Sequence, residues 1–156
     1  MTDIFINKAK AVSVSGHRYL LEDFNRELIK KIFISLIENN YDTFLIGMAI
    51  GFDTECFKIL EELRNEYPIK IIACVPCLSQ SANFNKAQKE EYDRMMVSAD
   101  EKVILQDNYD KYCMLKRNDY MLENSSLLVA YLRKKSGGTA YTVRRATEKN
   151  VDVIKI

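Results

Sequence analysis

Short apolar runs alternate with longer amphipathic stretches along the whole chain. The apolar runs are nearly continuous, which is typical of strands buried on both faces of a parallel sheet. They predict six strands, at residues 11–14, 43–46, 70–73, 102–105, 126–130 and 151–154. Consecutive parallel strands need a crossover, and the stretches between the runs have helical periodicity. The pattern therefore predicts right-handed β-α-β units.

The amphipathic stretches repeat apolar residues at a spacing that places them on one helix face. They predict helices at about residues 22–38, 53–66, 88–99, 112–123 and 139–149. The stripe expected to be buried in the first helix is Leu21, Phe24, Leu28, Ile32 and Leu36. The corresponding stripe in the second helix is Phe52, Cys56, Leu60 and Leu63. We expect an α/β fold, a Rossmann-like three-layer sandwich with a mostly parallel sheet of about six strands, formed by a single domain over residues 1–156.

The composition is that of a soluble globular protein, with 47% hydrophobic and 29% charged residues. The 23 basic and 22 acidic residues leave a net charge of +1. This value is too close to zero for a protein that coats nucleic acid or an anionic membrane through bulk charge. The longest apolar runs have about six residues, whereas a membrane-spanning helix needs roughly 20. The first ten residues also lack the apolar core of a signal peptide, so we expect a cytoplasmic protein without a membrane segment.

Cys74 and Cys77 form a C-x-x-C spacing, which is compatible with redox chemistry or zinc binding. Cys74 closes an apolar run, so we interpret it as a buried strand residue. The four cysteines are irregularly spaced and the chain has one histidine. A zinc site would need a second such pair, and we expect no metal.

Glycines and polar residues follow several of the predicted strands. In an open α/β sheet, ligands bind at the carboxyl ends of the strands, near the point where the strand order reverses. All five glycines fall in three of these loops, at Ser15–Arg18, Gly47–Asp53 and Ser136–Thr139. The loop after the third strand adds Pro76 and Gln80. We therefore expect a binding site at this edge of the sheet.

Individual residues in these loops suggest specific roles. Gly137, Gly138 and Thr139 directly precede a predicted helix, where free N–H groups and the helix dipole favour an anion. Arg18 offers a bidentate guanidinium to a phosphate or a carboxylate. His17, the only histidine, suits either a polar loop position or a ligand contact. Asp53 suits the N-cap of the second helix better than it suits catalysis.

Two further basic features lie outside these loops. Arg117 and Asn118 lie within the fourth predicted helix, near its apolar side. A basic C-terminal stretch flanks the proposed anion loop, and it suits a solvated surface or a contact with single-stranded nucleic acid. Its members are Arg133, Lys134, Lys135, Arg144, Arg145 and Lys149.

The ordered set of motifs resembles that of the YpsA-like proteins of the SLOG superfamily. The motifs are Ser15-Gly16-His17-Arg18, Gly47-x-Ala49-x-Gly51-x-Asp53, Pro76 with Gln80, Arg117-Asn118-x-x-Met121, and Tyr131 with Gly137-Gly138-Thr139-Ala140. The resemblance covers residues 11–156 and implies a Rossmann-like domain that binds a nucleotide or an ADP-ribose-like ligand at the strand ends. Besides His17, the ligand-binding residues that it implies are Ser15, Gly16, Arg18, Gly47, Ala49, Gly51, Asp53, Pro76, Gln80, Arg117, Asn118, Gly137, Gly138 and Thr139.

The same superfamily contains the DNA-processing protein DprA and the LOG-type nucleotide hydrolases. LOG-type hydrolases resemble P-G-G-x-G-T-x-x-E, with a catalytic Glu, whereas the segment Ser136–Arg144 of this chain contains no acid. An N-glycosidic hydrolase would therefore need Asp53 or Glu55 as its acid. Three functions stay open: binding or sensing of a nucleotide, which the resemblance favours, hydrolysis of a nucleotide, and binding of single-stranded DNA. A homodimer formed through a helix face is compatible with each.

Overall fold

The fold is that of a computed structural model, which describes residues 4–156. Six parallel strands form one sheet. They are β1 (Ala11–Gly16), β2 (Thr43–Ile46), β3 (Lys70–Val75), β4 (Glu101–Ile104), β5 (Leu127–Tyr131) and β6 (Asp152–Lys155). Every predicted strand is present, and the expectation of a Rossmann-like three-layer α/β fold is confirmed.

Helices cover both faces of this sheet. Within residues 4–156 the α-helices are α1 (Arg26–Glu38), α2 (Phe52–Arg64), α3 (Lys86–Ser98), α4 (Cys113–Glu123) and α5 (Gly138–Glu148). A short 3-10 helix at Lys8–Lys10, which the sequence pattern did not predict, precedes β1. Helices α1, α2 and α3 pack on one face, and α4 and α5 pack on the other.

The strand order is β4-β3-β2-β1-β5-β6. The chain builds outward from β1 to β4 and then crosses over to place β5 on the other side of β1. The order therefore reverses between β1 and β5. In doubly wound sheets the crevice at such a switch point, outside the carboxyl ends of the strands, is where ligands bind.

The largest apolar core lies between the sheet and helices α1 to α3. Its largest fully buried side chains include Phe33, Phe44, Phe52 and Phe57. The predicted stripe of α2 is buried as expected. Smaller apolar clusters lie under α4 and α5 on the opposite face.

Helix α1 begins later than the sequence pattern predicted, at Arg26 instead of residue 22. The reason is local, because Asn25 caps the helix by accepting a hydrogen bond from the Leu28 N–H at 3.1 Å. The buried face is Ile29, Phe33 and Leu36. Leu21 and Leu28, which were expected in the core, are 55% and 46% exposed. The segment from residue 17 to residue 25 is therefore a long loop above the sheet.

Candidate functional site

A buried polar cluster covers the carboxyl end of β2. The carbonyl oxygen of Gly47 accepts hydrogen bonds from Arg117 Nη1 and from Gln80 Nε2, the latter at 2.9 Å. Arg117 comes from α4 and Gln80 from the loop after β3. Arg117 is 6% exposed and Gln80 is 8% exposed. One backbone carbonyl therefore joins three separate parts of the chain.

Arg117 is held by further contacts. Its Nε donates to Asn118 Oδ1 at 2.8 Å, and its Nη1 donates to the Cys74 carbonyl at 3.4 Å. Burial lowers the pKa of Arg117, and the nearby negative charge of Asp53 opposes that shift. Arg117 thus fixes the β2 loop against β3 and α4. The burial of Arg117 agrees with its expected position near the apolar side of this helix.

Asp53 is the second residue of α2, because Gly51 is the N-cap and provides no side-chain cap. The interpretation of Asp53 as the N-cap is therefore wrong. Its Oδ2 accepts from the Ala49 N–H at 3.1 Å. Its Oδ1 is buried and has no hydrogen-bond partner among residues 4–156. Burial raises the pKa of Asp53 from 3.8 to about 6, against the opposing effects of Arg117 and the Ala49 N–H.

The loops after β1 and β2 pack backbone against backbone. A Cβ built on Gly16 would lie 2.3 Å from the Phe52 ring, and one built on Gly51 would lie 2.3 Å from the Arg18 carbonyl oxygen. Gly51 also has a φ of +83°, which glycine adopts readily. The Phe52 N–H donates to the His17 carbonyl at 3.1 Å. Close approach therefore requires glycine at both positions.

His17 ties the β1 loop to the β5 loop. Its Nε2 accepts a hydrogen bond from the Arg133 N–H at 2.8 Å. Burial, together with the charges of Lys134 and Arg133, lowers the pKa of His17. The ring also packs edge-on against Tyr131, at 5.9 Å between centroids. His17 is therefore a neutral bridge across the β1–β5 switch point, which gives it a structural role whether or not it also contacts a ligand.

The N-terminus of α5 is open. Gly137 is the N-cap with a φ of +99°, and α5 has neither a side-chain cap nor an acidic residue in its first turn. A Cβ built on Gly137 or Gly138 would meet no atom within 4 Å. Exposed Lys134 and Lys135 directly precede this turn. Uncapped N–H groups at the positive end of a helix dipole suit an anion. We call residues 134–139 the anion loop.

The candidate residues lie at the carboxyl edge of the sheet, and all of them except Ser15 and Pro76 fall into three groups. The buried cluster consists of Gly47, Asp53, Gln80 and Arg117, with the partly buried Ala49 and Asn118 hydrogen-bonded to it. The packed loops contain Gly16, His17, Arg18 and Gly51. Gly137, Gly138 and Thr139 belong to the anion loop, on the β5 side of the switch point. Ser15 pairs with Ala130 near the end of β1, and Pro76 is buried just after β3.

The basic C-terminal stretch is partly neutralised. Arg133 pairs with Asp23 at 2.8 Å, Arg145 with Asp119 at 3.3 Å, and Lys149 with Glu123 at 3.4 Å. The Arg144 guanidinium lies over the Tyr141 ring, 5.6 Å from its centroid. Lys134 and Lys135 have no carboxylate within ion-pairing distance in the described part of the chain. Within this stretch, two of the charges without an ion pair therefore belong to the anion loop.

A cleft of about 310 Å³ lies between the β1 loop, α2 and α3. Of the candidate residues, Arg18 and Gly51 line it. We call it the α2–α3 cleft. Sequence reasoning missed it because Tyr92 and Met95, which form part of its wall, have the spacing of a core-facing helix stripe. Residues 18–20 form another wall of the cleft because α1 begins late. The sequence does contain a signal for that late start, which is the capping residue Asn25.

The cysteines are free thiols, and all four are buried. Cys74 lies in β3 as expected, and burial raises its pKa to about 12. Between residues 4 and 156, no three His, Cys, Asp or Glu side chains are grouped as they would be to hold a metal ion. No helix over the same range is long and apolar enough to cross a membrane.

Comparison with known proteins identifies the family. The YpsA family model, described as the YspA SLOG family, matches residues 22–154. The chain belongs to this SLOG family. The UPF0398 protein YpsA of Bacillus subtilis (strain 168) is 24% identical over 128 residues, which cover 80% of this chain and 71% of that protein. A UPF0398 protein of Listeria monocytogenes serotype 4a (strain HCC23) is 26% identical over 126 residues, which cover 79% of this chain and 70% of that protein.

Solved structures share the fold of this YpsA-family chain. DprA from Streptococcus pneumoniae superposes with a TM-score of 0.68 at 22% identity, over 95% of this chain and 50% of that one. DprA from Helicobacter pylori, whose structure was described for its single-stranded DNA binding mode, superposes with a TM-score of 0.69 at 14% identity. That match covers 96% of this chain and 66% of the DprA chain. TM1055 superposes with a TM-score of 0.56 at 16% identity, and the match covers 92% of this chain and 72% of TM1055. The chain thus spans about half of the pneumococcal DprA chain, and the likeness shows a common fold.

Proposed function

We propose that this protein binds a nucleotide or a nucleotide-derived ligand at the carboxyl edge of its sheet. A phosphate of the ligand is held by the anion loop, and the sugar approaches Asp53. The observation that carries the proposal is the open, uncapped N-terminus of α5, with free Lys134 and Lys135 beside it, at the β1–β5 switch point. Membership of the YpsA family of SLOG proteins supports the same edge as the binding site.

The anion loop has the properties of a phosphate site. Gly137 and Gly138 let a phosphate reach the backbone closely, because neither position carries a side chain and the space around both is open. The N–H groups of the first turn and the helix dipole supply partial positive charge. Lys134 and Lys135 add full charges from exposed side chains. Arg18, the other expected phosphate ligand, lines the α2–α3 cleft, so we assign the phosphate to the anion loop.

Asp53 suits the sugar of a nucleotide. Its Oδ1 is a buried acceptor that no group in the described residues satisfies, and buried acceptors of this kind normally have a donor. A ribose hydroxyl is such a donor, and acidic residues take this role in other dinucleotide-binding sheets. With a pKa of about 6, most of the carboxyl group is ionised at neutral pH and accepts hydrogen bonds.

A thermal-shift screen tests the proposal. The panel consists of nucleoside mono- and diphosphates, NAD, ADP-ribose, cyclic nucleotides and inorganic phosphate. A ligand present at about a hundred times its Kd adds about 2.7 kcal/mol to the free energy of unfolding, which raises the midpoint visibly. We expect at least one nucleotide to raise the midpoint more than inorganic phosphate does.

A charge-reversal pair ties any shift to the anion loop. The double variant Lys134→Glu/Lys135→Glu should lose most of the nucleotide-dependent shift. The matched control Lys31→Glu/Lys89→Glu reverses two exposed lysines on α1 and α3, outside the anion loop, and should retain the shift. A panel without any shift in the wild-type protein, or equal shifts in both double variants, would reject the proposal.

A second candidate function is the binding of single-stranded nucleic acid along the same edge. Tyr109 and Tyr112, between β4 and α4, are 64% and 54% exposed, and Lys111 Nζ lies 5.0 Å from the centre of the Tyr112 ring. Exposed aromatic rings beside cations stack on the bases of single strands. The structural relative from H. pylori was described for its single-stranded DNA binding mode. In this function, Tyr109 and Tyr112 hold one end of a strand and the anion loop holds the other.

Oligonucleotide titrations separate this candidate from a small ligand. Binding of a short single strand should weaken as salt rises, with log K linear in log salt concentration. The double variant Tyr109→Ala/Tyr112→Ala should weaken strand binding and leave nucleotide binding unchanged. Absent or salt-independent strand binding would exclude the candidate.

Hydrolysis of a nucleotide is a third candidate function, and the observation that favours it is the raised pKa of Asp53. A buried carboxyl with a pKa of about 6 is suited to give or accept a proton near neutral pH. Release of free base from AMP or NAD, abolished in Asp53→Asn, would establish this activity. No release at saturating enzyme would remove it.

A further inference from the structure

We propose that the α2–α3 cleft is a second binding site, separate from the anion loop, for a planar aromatic molecule that carries an anionic group. The cleft is large enough for such a molecule, since its volume of about 310 Å³ lies within the range of small-ligand pockets. Its apolar wall consists of Leu20, Met48, Ile50, Phe84, Tyr92 and Met95.

The cleft presents aromatic and apolar surface to a ring. Phe84 and Tyr92 meet edge to face, with their ring centroids 5.7 Å apart. Met48 and Met95 also line the cleft but are 0% and 2% exposed, so they form a packed apolar floor behind the rings. A flat apolar body therefore meets aromatic rings over a closed apolar floor.

The walls of the cleft are fixed by hydrogen bonds made elsewhere. The Tyr92 hydroxyl donates to Gln80 Oε1 at 3.1 Å, which anchors the ring to the buried cluster. Helix α3 begins with a capping box in which Asn85 and Gln88 bond each other's backbone at 2.8 and 3.0 Å. A site whose walls are held in this way loses little entropy when a ligand binds.

The anionic group of the ligand is assigned to Arg18. The other cation of the rim is engaged, since Lys58 lies 3.6 Å from Glu55 and 3.7 Å from Glu91. Arg18 lines the same cleft with an exposed side chain, and across residues 4–156 it forms no ion pair. The Arg18 guanidinium is therefore the cation of the rim that no carboxylate holds, and a guanidinium binds carboxylate and phosphate groups through paired hydrogen bonds.

Fluorescence titration with anilinonaphthalene sulfonate, a planar aromatic anion, tests this site in the full chain. We expect saturable binding of one equivalent. Ala87→Phe, which adds a ring to the exposed cleft-lining Ala87, should weaken binding by about tenfold or more. Lys89→Phe adds the same ring on α3 away from the cleft and should bind the dye like the wild-type protein.

Arg18→Ala tests the anionic part separately. It should weaken binding of the sulfonate dye severalfold and leave binding of the neutral analogue phenylnaphthylamine unchanged. Unsaturable dye binding, or equal affinity in Ala87→Phe and Lys89→Phe, would overturn the site. Equal sulfonate affinity in Arg18→Ala would overturn the assignment of an anionic ligand. The nucleotide-dependent thermal shift should persist in Ala87→Phe, so this inference and the proposed function can fail independently.

Discussion

Arg117 and Asp53 approach the same glycine from opposite faces of the sheet. A Cβ built on Gly47 would lie 2.8 Å from Arg117 Nη1 and 3.0 Å from Asp53 Oδ2. Arg117 belongs to α4 and Asp53 to α2, which pack on different faces. The absence of a side chain at Gly47 lets a buried cation and a buried carboxyl group share the space at the end of β2.

Substitution of Gly47 by alanine should therefore destabilise the protein. The added methyl group overpacks a buried site, which costs about 1–3 kcal/mol. Gly138→Ala is the matched control, since its Cβ meets no atom within 4 Å. Urea unfolding should show a lower midpoint for Gly47→Ala than for Gly138→Ala. Equal midpoints would mean that Arg117 and Asp53 move apart freely.

Removal of the Arg117 charge should destabilise the fold more strongly. Arg117→Met leaves the Gly47 carbonyl with one donor fewer and Asp53 without its compensating charge, at a cost of about 3–5 kcal/mol. The double variant Arg117→Met/Asp53→Asn removes both charges and should recover part of that loss. Denaturant unfolding of the two variants checks this expectation. A double variant that is less stable than Arg117→Met would contradict the coupling between the two residues.

The raised pKa of Asp53 predicts a pH dependence of stability with a definite sign. The folded-state pKa of about 6 lies above the ordinary value of 3.8, so protonation favours the folded state. This contribution is fully present below pH 3.8 and is lost as the pH rises through 6. Relative to Asp53→Asn, the wild-type protein should lose about 2 kcal/mol of stability between pH 4 and pH 7. If the free energy of unfolding of the two proteins changed with pH in parallel, the raised pKa of Asp53 would be contradicted.

The fold was predictable because two periodicities alternate without interruption. Buried parallel strands such as β2, in which all four residues are buried, leave a continuous apolar signature. The α2 stripe was equally clear, since Phe52, Cys56, Leu60 and Leu63 repeat on one face and are all fully buried. The start of α1 was missed because the apolar pattern continues through Leu21 and Phe24 into the loop. There the cap at Asn25, and not the apolar pattern, ends the loop and begins the helix.

The candidate site was predictable only in part. The carboxyl ends of parallel strands lie at one edge of the sheet, so the sequence pattern was enough to predict that the glycine loops lie close together. It could not show how far a long side chain reaches. The sequence placed Arg117 near the apolar side of its helix, but it gave no sign that the side chain extends from α4 to the Gly47 carbonyl. The α2–α3 cleft was also invisible, because its walls come from loops and helices whose relative packing has no local signal.

Calorimetric titration of the best nucleotide from the thermal-shift panel into Gly138→Asp tests the central proposal most directly. Gly138 is the first residue of α5, where an aspartate stabilises the helix dipole by about 0.3–1 kcal/mol and repels a phosphate. We predict an unchanged or higher unfolding midpoint together with nucleotide binding weakened by about tenfold or more. Gly138→Ala should bind far more tightly than Gly138→Asp. Wild-type affinity in Gly138→Asp would contradict a phosphate site at the N-terminus of α5.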